Sequence, residues 1–141
     1  MRRSHFLKYS CILLMLAALV RVFFGLMMIN FFATARTFGA ADPGLLRRAG
    51  ITLLLLILCA IAELVGGFVG ALNWEEPLNA KKCVVWGCVS LALGLAGNLM
   101  QALTGYGVSY VAWITGVVAP LIYLIAALRF SLRRERSDSH V

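Results

Sequence analysis

Four long apolar runs, set apart by short stretches that carry nearly all of the charge, make up this chain. The runs extend over residues 9–34, 50–72, 83–103 and 108–130. A helix that crosses a hydrocarbon core of ~30 Å needs about 20 consecutive, mostly apolar residues, so each run is long enough to span a bilayer. The pattern predicts an all-α fold: an integral membrane four-helix bundle built from two antiparallel hairpins, with residues 1–141 as a single membrane domain.

The breaks between the runs are read from their turn-formers. Ala35 to Ala49 sets Asp42-Pro43-Gly44 among Arg36, Arg47 and Arg48 and is expected to be a polar loop. Asn73-Trp74-Glu75-Glu76-Pro77 ends the second run, and Thr104-Gly105-Tyr106-Gly107 is a tight, uncharged turn between the third and fourth. Pro120 removes one backbone donor from the fourth helix and is expected to kink it. Residues 131–141 are charged and Ser-rich, and are expected to form a cytoplasmic tail without fixed structure or resting loosely on the membrane surface.

At the amino terminus, Arg2, Arg3 and Lys8 precede a ten-residue apolar run, and Ala33-Thr34-Ala35 has the small-x-small form of a signal-peptidase site. Arg21 interrupts that reading. It follows the apolar run directly, the small residues lie more than a dozen positions further on, and the apolar character resumes at Val22, so the first helix is expected to be uncleaved.

Composition agrees with a membrane chain: 62% of the 141 residues are hydrophobic and only 13% are charged, far from the balance of a soluble domain. The net charge of +7 would suit nucleic acid, but the basic residues gather at the ends of the apolar runs, and membrane orientation is the simpler account. Nine Lys and Arg fall on one side (Arg2, Arg3, Lys8, Lys81, Lys82, Arg129, Arg133, Arg134, Arg136) and three on the other (Arg36, Arg47, Arg48). The positive-inside tendency then places both termini in the cytoplasm, and a basic start on so short a multi-span chain suggests the plasma membrane of a bacterium.

Two ionisable residues lie deep within the runs. An Arg or Glu near the centre of a span costs ~2.5–3.5 kcal/mol on insertion scales unless it finds a partner. Arg21 and Glu63 are equidistant in sequence from Asp42, so an antiparallel hairpin turning there brings them to one depth as a candidate intramembrane ion pair. Such a pair either fixes helix register or marks a site for an ion, a proton or a polar ligand. Small residues surround both, and Gly66 and Gly70 form a GxxxG that serves packing within the monomer or a homo-oligomer face.

The remaining span polarity is one-sided. Asn30, Thr52, Asn98, Gln101, Tyr110 and Thr115 all fall in the outer halves of their runs. Facing inward, they would line a polar vestibule above Glu63; otherwise they bond across the third and fourth helices, Gln101 opposite Tyr110 and Asn98 opposite Trp113. Cys11, Cys59, Cys83 and Cys88 form no CxxC and read as small apolar residues. His5 and His140 are confined to the terminal segments, so no metal set is expected. With no phosphate loop, no nucleophile elbow and no span histidine, neither an enzyme nor a cofactor is expected.

Small multidrug transporters are similar four-helix chains with one membrane carboxylate, but theirs lies on the first helix, where this chain has Arg21. Fluoride channels share the span number without the polar track. The chain looks most like the large set of uncharacterised bacterial four-span proteins, and that resemblance covers topology alone and lends no site residues. The sequence therefore points to a small multi-pass protein surrounded by lipid and acting as a non-enzymatic interaction or accessory subunit. The alternative is a small oligomeric channel or transporter that uses the vestibule.

Overall fold

The computed structural model describes residues 5–39, 42–75, 80–103 and 108–138. Four helices account for almost all of them: α1 (His5–Thr37), α2 (Pro43–Asn73), α3 (Ala80–Leu103) and α4, which comprises Tyr110–Trp113, a five-residue π segment Ile114–Val118 and Ala119–Asp138. All four are long and apolar enough to cross a membrane. The described residues thus form an all-α four-helix bundle of the multi-pass membrane class. The Thr104–Gly107 turn, Glu76-Pro77, Arg2, Arg3 and residues 139–141 lie outside the described residues.

The helices overrun the apolar pattern at their ends. α1 continues to Thr37, where the Thr34 and Thr37 hydroxyls donate to the carbonyls of Asn30 and Ala33, and Gly39 then takes the left-handed conformation with φ 63° that commonly closes a helix. Asp42 is extended, as a residue before proline prefers, and Pro43 starts α2 at a position where its missing N–H costs nothing. The expected loop from Ala35 to Ala49 is therefore mostly helix. Asp-Pro-Gly acts as a helix start, and Leu45, Leu46, Arg47 and Arg48 are good helix formers.

Residues 131–138 also differ from expectation. They prolong α4 as helix to Asp138. No Gly or Pro follows Pro120, and Leu132, Arg133, Glu135 and Arg136 favour helix, so nothing in the sequence stops it at the apolar boundary.

Neighbours in sequence are neighbours in space: α1 packs on α2, α2 on α3, α3 on α4, and α4 returns to α1. Small residues carry these contacts, as expected where lipid removes any hydrophobic drive between helices. Gly66 and Gly70 are among them. A methyl group on Gly66 would meet Trp86, Leu14 and Ser90, and one on Gly70 would meet Cys11 and Tyr123. Both glycines are buried within the bundle, where they serve internal packing, one of the two readings of the GxxxG.

One half of the bundle is sealed. Leu7, Cys11, Leu14, Ala80, Cys83, Tyr123, Ala126, Ala127 and Phe130 form a buried cluster, and the Tyr123 hydroxyl inside it donates to the Gly66 carbonyl at 2.7 Å. At the same end, Lys8 Nζ lies 5.0 Å over the Trp74 ring, joining the start of α1 to the end of α2. Outside, large apolar side chains such as Leu16, Phe23, Leu54, Phe68 and Leu99 are exposed all round the bundle. That surface suits lipid.

Candidate functional site

The local geometry of α4 sets up the site. Pro120 has no N–H to offer the Gly116 carbonyl, and the helix widens just before it, with Ala119 N–H bonding back five residues to Ile114. The Gly116 carbonyl lies against Gly94 of α3, where any Cβ would collide with it. Glycine at 94 lets the two backbones approach this closely. On its other side Gly116 makes room as well: a Cβ there would lie 2.6 Å from Arg21 Nη2 and within contact of the Asn98 amide.

Arg21 reaches across this gap. Its Nε lies 3.4 Å from Glu63 Oε2, and its Nη2 donates to Thr115 Oγ1 at 3.4 Å, while that hydroxyl donates to the Val111 carbonyl at 2.8 Å. Arg21 is 5% exposed and Glu63 fully buried. The other carboxylate oxygen of Glu63 accepts from Cys59 Sγ at 3.5 Å, and the same thiol lies 3.6 Å from the Ser90 carbonyl. One cation on α1 is thereby tied to an anion on α2 and a hydroxyl on α4, with α3 touching the anion's neighbour. Ser90 Oγ is buried without a hydrogen-bond partner.

Next to Arg21, in the half of the bundle away from the termini, lies a cavity of about 60 Å³. At the ~30 Å³ that one water occupies in the liquid, it has room for about two. Its polar wall is Arg21, Thr52, Asn98, Gln101, Ser109 and Thr115; Phe24, Met28 and Leu56 are among its apolar residues. Four of the six sequence candidates for a vestibule, Thr52, Asn98, Gln101 and Thr115, thus line one space. The other two do not: Asn30 is exposed, two residues and so ~200° around α1 from the cavity-lining Met28, and Tyr110, at the first turn of α4, is 89% exposed. Glu63 is also off the wall, behind Arg21, so the floor of the chamber is the guanidinium rather than the carboxylate.

Sequence reasoning passed over Ser109, Cys59 and Ser90 as site residues. Ser109 caps α4, accepting from Ala112 N–H at 3.2 Å. Its place directly before an apolar run was the available signal. Asn98 Nδ2 donates to the Ala112 carbonyl at 3.3 Å, one residue from the expected Trp113. Among the described residues, no group of three or more His, Cys, Asp or Glu could hold a metal ion. The arrangement is a neutral ion pair beneath a small, hydrogen-bonding chamber, suited to holding water or a polar group away from lipid. No family model, no curated protein and no solved structure matches this chain.

Proposed function

We propose that this chain is a non-enzymatic protein of a plasma membrane, with both termini in the cytoplasm, that works as an interaction or accessory subunit and not as a conduit. The observation that supports this reading is the blind chamber. Polar side chains line the half of the bundle away from the termini as far as Arg21 and Glu63, and below them the fully buried Leu7, Leu14, Cys83 and Tyr123 fill the space a permeating solute would need. A pathway through the protein would have to dismantle that cluster.

The short connections add to the argument. With helices of 33, 31 and 24 residues in the first three positions, nearly all of the described surface is helix flank, so a partner would meet it mainly through membrane helices. Reconstituted into vesicles, the protein should pass no protons, alkali cations or small neutral solutes above protein-free controls. Extraction from cells in mild detergent should bring a stoichiometric membrane-protein partner with it. Saturable flux that Glu63→Gln abolishes would overturn this reading in favour of a channel or transporter.

A further inference from the structure

We infer that the chamber beside Arg21 and the apolar slot that adjoins it form one binding site for a neutral, short-chain amphiphile with a hydroxyl head, the head held in the chamber and the alkyl chain in the slot. The inference rests on the chamber being blind, as above, and adds the chemical class of what it holds. The slot has a volume of about 130 Å³ and is walled by Phe31, Phe32, Leu45 and Ala49. It shares Met28, Thr52 and Gln101 with the chamber, so the two spaces adjoin across these side chains, apolar toward the α1–α2 turn and polar toward Arg21.

Hydrogen-bond bookkeeping on the chamber wall selects the head. Four side chains there are more than nine-tenths buried: Arg21, Thr52, Asn98 and Thr115. Thr52 spends its hydroxyl proton on the Arg48 carbonyl, Thr115 on Val111, and Asn98 donates its amide to Ala112. The Thr52 oxygen and Asn98 Oδ1 remain as acceptors, and the second Asn98 N–H and the outer Arg21 N–H groups as donors, which calls for a group that both donates and accepts. A cation would face the Arg21 guanidinium. An anion would add a second negative charge near Glu63, whose carboxylate already neutralises Arg21, and in a low-dielectric interior that repulsion is poorly screened. A hydroxyl meets both conditions, donating and accepting while carrying no charge. The slot, at about 130 Å³, is in turn too small for a two-chain lipid and has room for part of one chain.

The test uses the protein in phosphatidylcholine vesicles with a diazirine-bearing octanol as photoprobe, and reads labelled residues by mass spectrometry. Labelling should concentrate on Met28, Phe31 and Phe32, and excess octanol should suppress it, with octanoate and octane suppressing it at least ~tenfold less effectively, a difference of about 1.4 kcal/mol in binding. Met28→Trp, which fills the junction of chamber and slot, should abolish the focused labelling, and Leu45→Trp at the half-buried edge of the slot should reduce it; a monodisperse elution and unchanged helicity check that each variant is folded. Labelling spread evenly over lipid-facing residues such as Phe23 and Leu99, or untouched by competitor, would overturn the site. Stronger competition by octanoate would overturn the hydroxyl head. Flux measured in the same vesicles reads the blind chamber separately, so focused labelling together with flux would reject the accessory reading while leaving the site, and the reverse result would reject the site alone.

Discussion

Arg21 and Glu63 are the most expensive residues in the chain to place in lipid, and the structure puts them 3.4 Å apart. Removing one partner of a buried pair leaves the other uncompensated at a cost of ~3–5 kcal/mol, whereas replacing both with apolar residues is often neutral. Glu63→Gln or Arg21→Met alone should therefore lower the thermal unfolding temperature in detergent, and Arg21→Met combined with Glu63→Leu should recover most of the loss. Single variants as stable as the parent would show that the pair adds nothing to the fold. At this scale the sequence told much: two opposite charges equidistant from Asp42 imply a shared depth whatever the details of packing. It was silent on Cys59 and Ser90, because a thiol or hydroxyl among small residues looks the same whether it faces a carboxylate or a neighbouring helix.

Among the elements, α4 departs furthest from a simple span. Its π segment, Pro120 and the close approach of Gly116 to Gly94 are one device, since the carbonyl that Pro120 cannot bond is the one that lies against α3. Gly94→Ala should push α3 from α4 and destabilise the protein by at least the ~1–3 kcal/mol of an overpacked core. Gly97→Ala, one turn on, would bring its new methyl only to ordinary contact, 3.9 Å from Leu55 Cβ, and should change stability by less than about 1 kcal/mol. Equal effects of the two in a detergent unfolding assay would contradict the close approach. Pro120 announced an irregularity in α4, but proline alone does not say whether the helix kinks or widens; the neighbour that accommodates the carbonyl decides.

Taken whole, the molecule has two unlike halves: an apolar, sealed end where the start of α1 meets the end of α2, and a polar, hollow end beyond Arg21. The basic residues Lys8, Lys81, Lys82, Arg129, Arg133 and Arg136 all lie toward the sealed end of their helices. In the orientation proposed from the positive-inside tendency, that end would face the cytoplasm. A reporter active only outside the cytoplasm should give no signal when fused after Arg136 and a strong one when inserted after Phe38; a strong signal from the first fusion would reverse the orientation.

Helix number, helix class and the depth of the ion pair were fixed by the sequence alone, because spans of about 20 apolar residues leave the backbone little choice but to bond within itself. The ends of the helices were not, since lipid-run length marks where a helix enters hydrocarbon and says nothing of how far it continues beyond, as Pro43–Ala49 and residues 131–138 show. Nor could it settle which small-residue face meets which. Gly66 and Gly70 could have met a second copy, and only the tertiary packing turned them to Leu14, Cys11 and Tyr123. The same packing sorted Thr52, Asn98, Gln101 and Thr115 into one chamber and left Asn30 and Tyr110 outside, because the side of a helix a residue occupies matters only once the neighbours that define inside and outside are in place.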